Sequence, residues 1–243
     1  MDAVALQEVR FGVVTDRLAA ELAAAGLREV VAPAPPQSAA RPKAYATVLA
    51  SRWPMTAVRW PVATTWPQLL TAADVHADDR DFRLIGVHAP NGAGNGWEKA
   101  YLLEALAAGL SCDSRATVVA GDFNEPRSFT PTFASFRTTS SGVGGDFTDR
   151  FGVTHPRERW EAAVRRVLHP DNRRRSWAGQ HAAVQAGVPF EPTHLVGGNS
   201  PRYFDHLMTT PDLPVRQVVY DHSVRSAETG VSDHSLVTIE IHV

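Results

Sequence analysis

The sequence has a single cysteine among its 243 residues. With Cys112 alone, no intramolecular disulfide can form, which excludes a disulfide-stapled scaffold and favours a cytoplasmic setting. No base stands beside Cys112, just past a helical stretch, so thiol catalysis is not expected. No apolar run is long enough to span a bilayer, so no membrane insertion is expected. The opening residues Met1 to Ala5 lack the basic region of a signal peptide. An excess of one charge sign is missing too: 24 Lys and Arg against 26 Asp and Glu leave a formal net charge of -2. That balance excludes a wholesale basic surface, though not a local basic patch. Repeats and inter-domain linkers are absent, and 1–243 reads as one domain. With 44% hydrophobic and 21% charged residues, the chain has the composition of an ordinary globular protein.

What is present is organised around Gly121-Asp122-Phe123-Asn124. Thr117 to Ala120 is a short β-branched apolar run, the signature of a strand buried on both faces. Asp122 and Asn124 follow at i and i+2, a spacing that puts both on one side of an extended backbone. A carboxylate can take a proton there while the amide donates a neutral hydrogen bond. Other chemically capable residues stand at further strand termini. Glu8 closes the apolar run that begins at Val4, Asp205-His206 follows Ser200 to Phe204, and Ser232-Asp233-His234-Ser235 opens the last strand.

Taken in order, the chain alternates strands and helices. Thr15-Asp16 caps an amphipathic helix through Leu18, Leu22 and Ala25 that Gly26 ends. Val30-Val31 is a short strand, Pro33 to Pro42 a loop, and Tyr45 to Ala50 a strand. Three Trp-Pro steps follow at Trp53, Trp60 and Trp66. They read as rings covering a sheet edge, or as a stacking or membrane-touching rim beside the site. Leu69 to Ala77 and Phe82 to Ala89 form a hairpin around Asp78 to Asp81. Gly92 to Gly96 leads into a helix from Trp97 to Leu110. Beyond the loop Ser140 to Gly145, residues 146–175 are helical or irregular, with a basic Arg157–Arg175 portion that reads as a solvated face or a phosphate contact. Strands near Tyr203 to Thr209, Val215 to Tyr220 and Ser235 to Val243 complete the chain.

These residues carry a resemblance. Ala5 to Val9, Val87-His88-Ala89-Pro90-Asn91, Gly121 to Asn124, Arg202 to His206 and Ser232-Asp233-His234 resemble, in order, the signature motifs of the endonuclease/exonuclease/phosphatase superfamily. The resemblance implies a mixed α/β fold, a four-layer α/β/β/α sandwich of two mixed sheets. It implies Mg²⁺, with Mn²⁺ as a substitute, held by Glu8 and Asp233. Asp122 would orient or deprotonate water, and Asn124 would bond a phosphate oxygen. His234 would contact the phosphoryl group with Asp205 behind it, and His88 and Asn91 would complete the catalytic and substrate-binding set. The activity implied is hydrolysis of a phosphodiester, with DNA or RNA narrowly preferred over a phospholipid, phosphoinositide or nucleotide. The alternative is an inactive sandwich acting as a binding module. One departure stands out: the family's usual first strand, with its asparagine or aspartate, has no counterpart among the seven residues before Glu8.

Asp74-Val75-His76 and Gly121-Asp122 also invite comparison with calcineurin-like phosphoesterases. That reading fails because Gly198-Asn199-Ser200 lacks the needed histidine and Asp74 lies inside a hairpin arm. His155, His169, His181, His194, His222 and His242 read as surface or loop positions without a role. His206 reads as a strand neighbour of Asp205.

Overall fold

In the computed structural model, the described residues are 1–34, 45–91, 96–129, 135–138, 146–149, 151–168, 176–177, 191–196, 200–225 and 232–242. The loop Ser140 to Gly145, most of Pro33 to Pro42 and Arg173 to Arg175 lie outside them.

The centre of the molecule is a six-stranded sheet. It contains β4 (Met55–Val58), β5 (Leu70–His76), β6 (Asp81–His88) and β7 (Thr117–Asp122). Two later strands join them, β8 (Ser176–Trp177) and β11 (Asp205–Thr209), with the hairpin β9 (His194–Val196) and β10 (Ser200–Arg202) between them in sequence, and the order across the sheet is β8-β11-β7-β6-β5-β4. β5 and β6 form the expected hairpin, closing at the pair His76 and Asp81 over a four-residue turn. The β6–β7 pair is parallel. Its crossover is the helix α2 (Gly96–Cys112), longer at its C-terminus than the periodicity suggested.

Period-two alternation divides the sheet's side chains between two cores. On one face Ile85, Val87, Val119 and Met208 pack against α2 and α3 (Arg157–Leu168). On the other, Phe82, Leu84, Val118 and Leu207 meet a second layer. That layer is the three-stranded sheet of β1 (Ala3–Arg10), β3 (Tyr45–Ser51) and β2 (Glu29–Val31), in the order β1-β3-β2. The ribbon of β12 (Val215–Asp221) and β13 (Leu236–Ile241) contributes Ile239 and Ile241 to the same inter-sheet core. α1 (Val13–Ala24) covers the outer face of β1 and β3 through Leu18, Leu22, Val4 and Leu6. The result is the expected α/β/β/α order of layers.

β1 and β13 line opposite flanks of a groove of about 400 Å³, floored by Phe82, Leu84 and Val118. Among the described residues β1 pairs with β3 alone and β13 with β12 alone, and no strand joins the two across the groove.

Three expectations change in detail. α1 starts two residues before Thr15, at Val13, and its N-cap is Gly12, with Asp16 in the first turn rather than outside it. Gly26 does end the helix, with φ of 88°. The Trp-Pro steps bracket β4, an edge strand. Trp60 and Trp66 pack against the α2-side core and Trp53 against the inter-sheet core, so the rings serve packing at a sheet edge. The described part of the basic stretch is an amphipathic helix whose Trp160, Val164, Val167 and Leu168 are buried. Its Arg157 and Arg159 pair with Glu161 and Glu104.

Candidate active site

The site grows out of the inter-sheet face. On β6, Phe82, Leu84, Gly86 and His88 alternate onto that face, and on β7 Val118, Ala120 and Asp122 do the same. On β11 the residue before Leu207 on this face is Asp205. Strand register then aligns the three polar residues, because His88 is opposite Asp122 in the parallel pair and Asp122 is opposite Asp205 in the antiparallel pair. Three apolar columns therefore end in one row, imidazole, carboxylate, carboxylate, at the mouth of the cleft between sheets. His88 and Asp122 are buried.

Two facing carboxylates repel each other, and water is scarce here. Burial pushes the Asp122 carboxyl up to about 7, and the charge of Asp205 adds to the rise. His234, the backbone N–H of Asn124 and Lys99 oppose it. The Asn124 N–H donates to Asp122 Oδ1 at 2.7 Å, and its side-chain amide donates to Asp122 Oδ2 at 2.9 Å and to the Ala89 carbonyl at 3.0 Å. β7 has ended by then, and Asn124 has φ of 50°. The two side chains meet through a left-handed turn, not through the shared face of an extended strand, and asparagine tolerates that conformation. Gly121 makes the approach of β7 to β6 close: a Cβ there would lie 1.8 Å from the Val87 carbonyl oxygen.

Glu8 arrives from the other layer. It is not at the tip of β1, which continues to Arg10; it sits in a bulge where Gln7 and Glu8 share the space opposite Thr47. Its φ of 58° re-aims the side chain, as bulges do beside functional sites. Glu8 Oε1 lies 3.7 Å from His88 Nε2, and His88 Nε2 lies 3.8 Å from Asp122 Oδ2.

On the far side, Asp205 Oδ2 accepts the Nδ1–H of His234 at 2.7 Å. Burial alone would lower the His234 imidazole. The bond and charge of Asp205, with Asp122 and Asp233, outweigh that and raise it to about 9. The ring is therefore a cation at neutral pH, with Nε2–H free of Asp205 and available to an anion. Asp233 is largely exposed, its Oδ1 4.0 Å from His234 Nε2. Ligating atoms of Asp122, Asp205 and His234 all lie within 4.8 Å of one another. Asn91 stands exposed on the loop that follows β6.

Other residues were not foreseen. Lys99 on α2 is fully buried, donating to the Asn124 carbonyl at 3.0 Å and lying 3.4 Å from the equally buried Glu125. Burial lowers its ammonium below the ordinary range, against the pull of Glu125 and Asp122. Trp160 Nε1 also donates to Glu125, at 3.3 Å. A lysine in a helix gives no sequence sign of such a place. His155, expected at the surface, is buried and bonded to Asp149 and Tyr101. His194 lies against His234, with ring centroids 4.5 Å apart, and His222 bonds Ser235 Oγ at 2.7 Å. His206 is, as expected, a strand neighbour of Asp205, its Nε2 donating to the Glu125 carbonyl at 2.7 Å. Asp74 is occupied by Arg83 and Arg115, which leaves it no role in a metal centre.

Hard oxygen donors stand on both sides of the row, one beside His88 and one beside His234. Glu8 and Asp233 present exposed carboxylates at the rim, leaving room for water and substrate oxygens as Mg²⁺ prefers.

Comparison with known proteins follows the same lines. An AP endonuclease from Archaeoglobus fulgidus superposes with a TM-score of 0.67 at 18% identity, covering 100% of this chain and 89% of that one. A 3′ phosphatase from Neisseria, bound to a product DNA hairpin, gives 0.64 at 17% identity, with 100% and 89% covered. D. rerio TDP2, complexed with a single-strand DNA product, gives 0.62 at 13% identity, with 100% and 86% covered. No curated protein sequence matches significantly. At these identities the structures establish a shared fold. The family model described as Endonuclease/Exonuclease/phosphatase family matches residues 1–234, and the chain belongs to that family.

Proposed function

We propose that the chain is a metal-dependent phosphoesterase that hydrolyses phosphodiesters of nucleic acid by direct attack of water. The observation that carries this reading is the row His88–Asp122–Asp205 at the cleft mouth, capped by the His234 cation. Asp122, with its carboxyl raised to about 7, is a base of useful strength at neutral pH. It takes the proton of a water whose oxygen bonds to phosphorus. The ester P–O bond breaks on the opposite side, and His88 supplies the leaving oxygen with a proton. His234 Nε2–H stabilises charge that grows on a phosphoryl oxygen, and Asp205 holds the ring in place for it. Asn124 orients Asp122 and offers its amide to the phosphate, and Asn91 binds substrate at the rim. Mg²⁺ held by Glu8 and Asp233 would add Lewis-acid stabilisation of the same charge. No covalent intermediate is needed.

Nucleic acid is the preferred substrate because two of the similar folds are described with DNA products. The test is hydrolysis of an aryl phosphodiester with and without Mg²⁺, then a substrate panel at two salt concentrations. Metal-dependent turnover that drops about 10²–10⁴-fold in Asp122→Asn, with similar melting behaviour, is expected. A folded protein with no such turnover would make the chain a binding module instead. Turnover of a phospholipid or a phosphoinositide in preference to DNA and RNA would overturn the substrate.

A further inference from the structure

His194 is unused by the chemistry above, yet it is built against it. Its backbone bridges that of His234 in antiparallel fashion, and the Ser235 N–H donates to the Thr193 carbonyl at 2.8 Å. Such cross-strand neighbours carry their side chains on one face. The His194 ring stacks on Phe204, with centroids 5.6 Å apart and an interplanar angle of 27°. Its Nδ1 is buried without a hydrogen-bond partner among the described residues. Nε2 faces Asp233 Oδ2 at 3.5 Å. Asp233 Oδ1 in turn lies 4.0 Å from His234 Nε2. One ligating atom from each of the three residues falls within 4.8 Å of the others. Donor atoms around a tetrahedral Zn²⁺ are about 3.3 Å apart, given bonds of about 2.0–2.1 Å. Closing the difference takes small rotations of Asp233 and of the two imidazole rings.

Two imidazoles and a carboxylate are the ligands of a borderline transition metal, whereas Mg²⁺ selects oxygen. We propose that His194, Asp233 and His234 form a binding site for a transition-metal dication such as Zn²⁺, and that its occupancy shuts off hydrolysis. The metal would occupy His234 Nε2, the atom that otherwise faces phosphate, and would withdraw Asp233 from the hard-cation site. The second clause rests on the function proposed above; the first does not.

The experiment titrates metal-stripped protein with Zn²⁺ by calorimetry and with Co²⁺ by visible absorption, in the absence of substrate. The wild type is compared with His194→Phe, which keeps a ring stacked on Phe204, and with Asp233→Asn, a change at an exposed position. Saturable one-to-one binding is expected in the wild type, weakened about tenfold or more in each variant. Turnover in Mg²⁺ should fall on adding Zn²⁺ to the wild type and hold steady in His194→Phe. No saturable binding, or equal affinity in wild type and His194→Phe, overturns the site. Binding without inhibition overturns the regulatory clause alone.

Discussion

At the scale of single residues, the proposed mechanism divides the work of a base and a cation between Asp122 and His234, whose surroundings push them in different ways. Asp122 is buried and faces Asp205 across the sheet, while His234 is bonded to Asp205 and encircled by negative charge. The base is active once deprotonated, so turnover should rise as pH rises through about 7. The cation is lost as pH rises through about 9, and turnover should fall there. Asp205→Asn removes the charge and weakens the bond that hold His234 up, so the alkaline limb should move down by a unit or more. An alkaline limb unchanged in Asp205→Asn would mean that His234 is not the group titrating there. The same variant relieves the charge pressing on Asp122, so the acid limb should shift down as well.

Much of this set could be read in the sequence because chemically capable residues at the ends of apolar runs are conspicuous. The geometry was less visible. Glu8 reads as a strand tip, but the strand continues and a bulge turns the residue outward. Asn124 reads as a same-face partner of Asp122, but it meets Asp122 through a turn with positive φ. Neither backbone excursion involves glycine, which would have announced it. His194 and His222 looked like loop histidines because their relevance depends on a bridge between segments remote along the chain.

At the scale of elements, the C-terminal end of β7 is pinned from two sides. Gly121 lets its backbone pass close to β6, and Gly121→Ala would drive a Cβ to 1.8 Å from the Val87 carbonyl oxygen. The strands must separate to admit it, which would also break the alignment of His88 with Asp122. A destabilisation of about 1–3 kcal/mol is expected from overpacking of this kind, with activity lost more severely than the melting temperature implies. A variant of wild-type activity would show that the strand ends tolerate separation.

Lys99 supports the turn after β7 from below. Lys99→Met leaves Glu125 buried without its cation, a change that costs about 3–5 kcal/mol in comparable pairs. Chemical denaturation should detect it. A neutral result would mean that the other partners of Glu125 satisfy it. The alternation that placed α2 on the sheet was evident in its leucines, but one lysine on its inner side was not. A long polar side chain inside a helix is read as solvated unless its partner is known, and here the partner is 26 residues away.

At the scale of the whole molecule, the layer order followed from the resemblance and from the alternation of strands with helices. The partition of strands between sheets did not follow, because pairing is settled by contacts remote in sequence. β4, between two Trp-Pro steps, was missed for a local reason: proline reads as a barrier to pairing, yet an edge strand needs partners on one side only.

The flanks of β1 and β13, unpaired among the described residues, also predict behaviour in solution. Amides of β7, bonded on both sides, should exchange with solvent only on global unfolding. Those of β1 and β13 that face the groove should exchange orders of magnitude faster. Uniform protection across all three strands, measured by hydrogen exchange, would contradict this arrangement.

Glu8 stands on β1 and His234 just before β13, and among the described residues no ladder of backbone bonds joins those two strands. What sets the jaw width of the cleft is therefore the bulk of apolar side chains beneath it, such as Ile239 and Leu84. Trimming or enlarging one of these would retune how the molecule grips an ion or a phosphate while leaving every polar residue of the centre untouched.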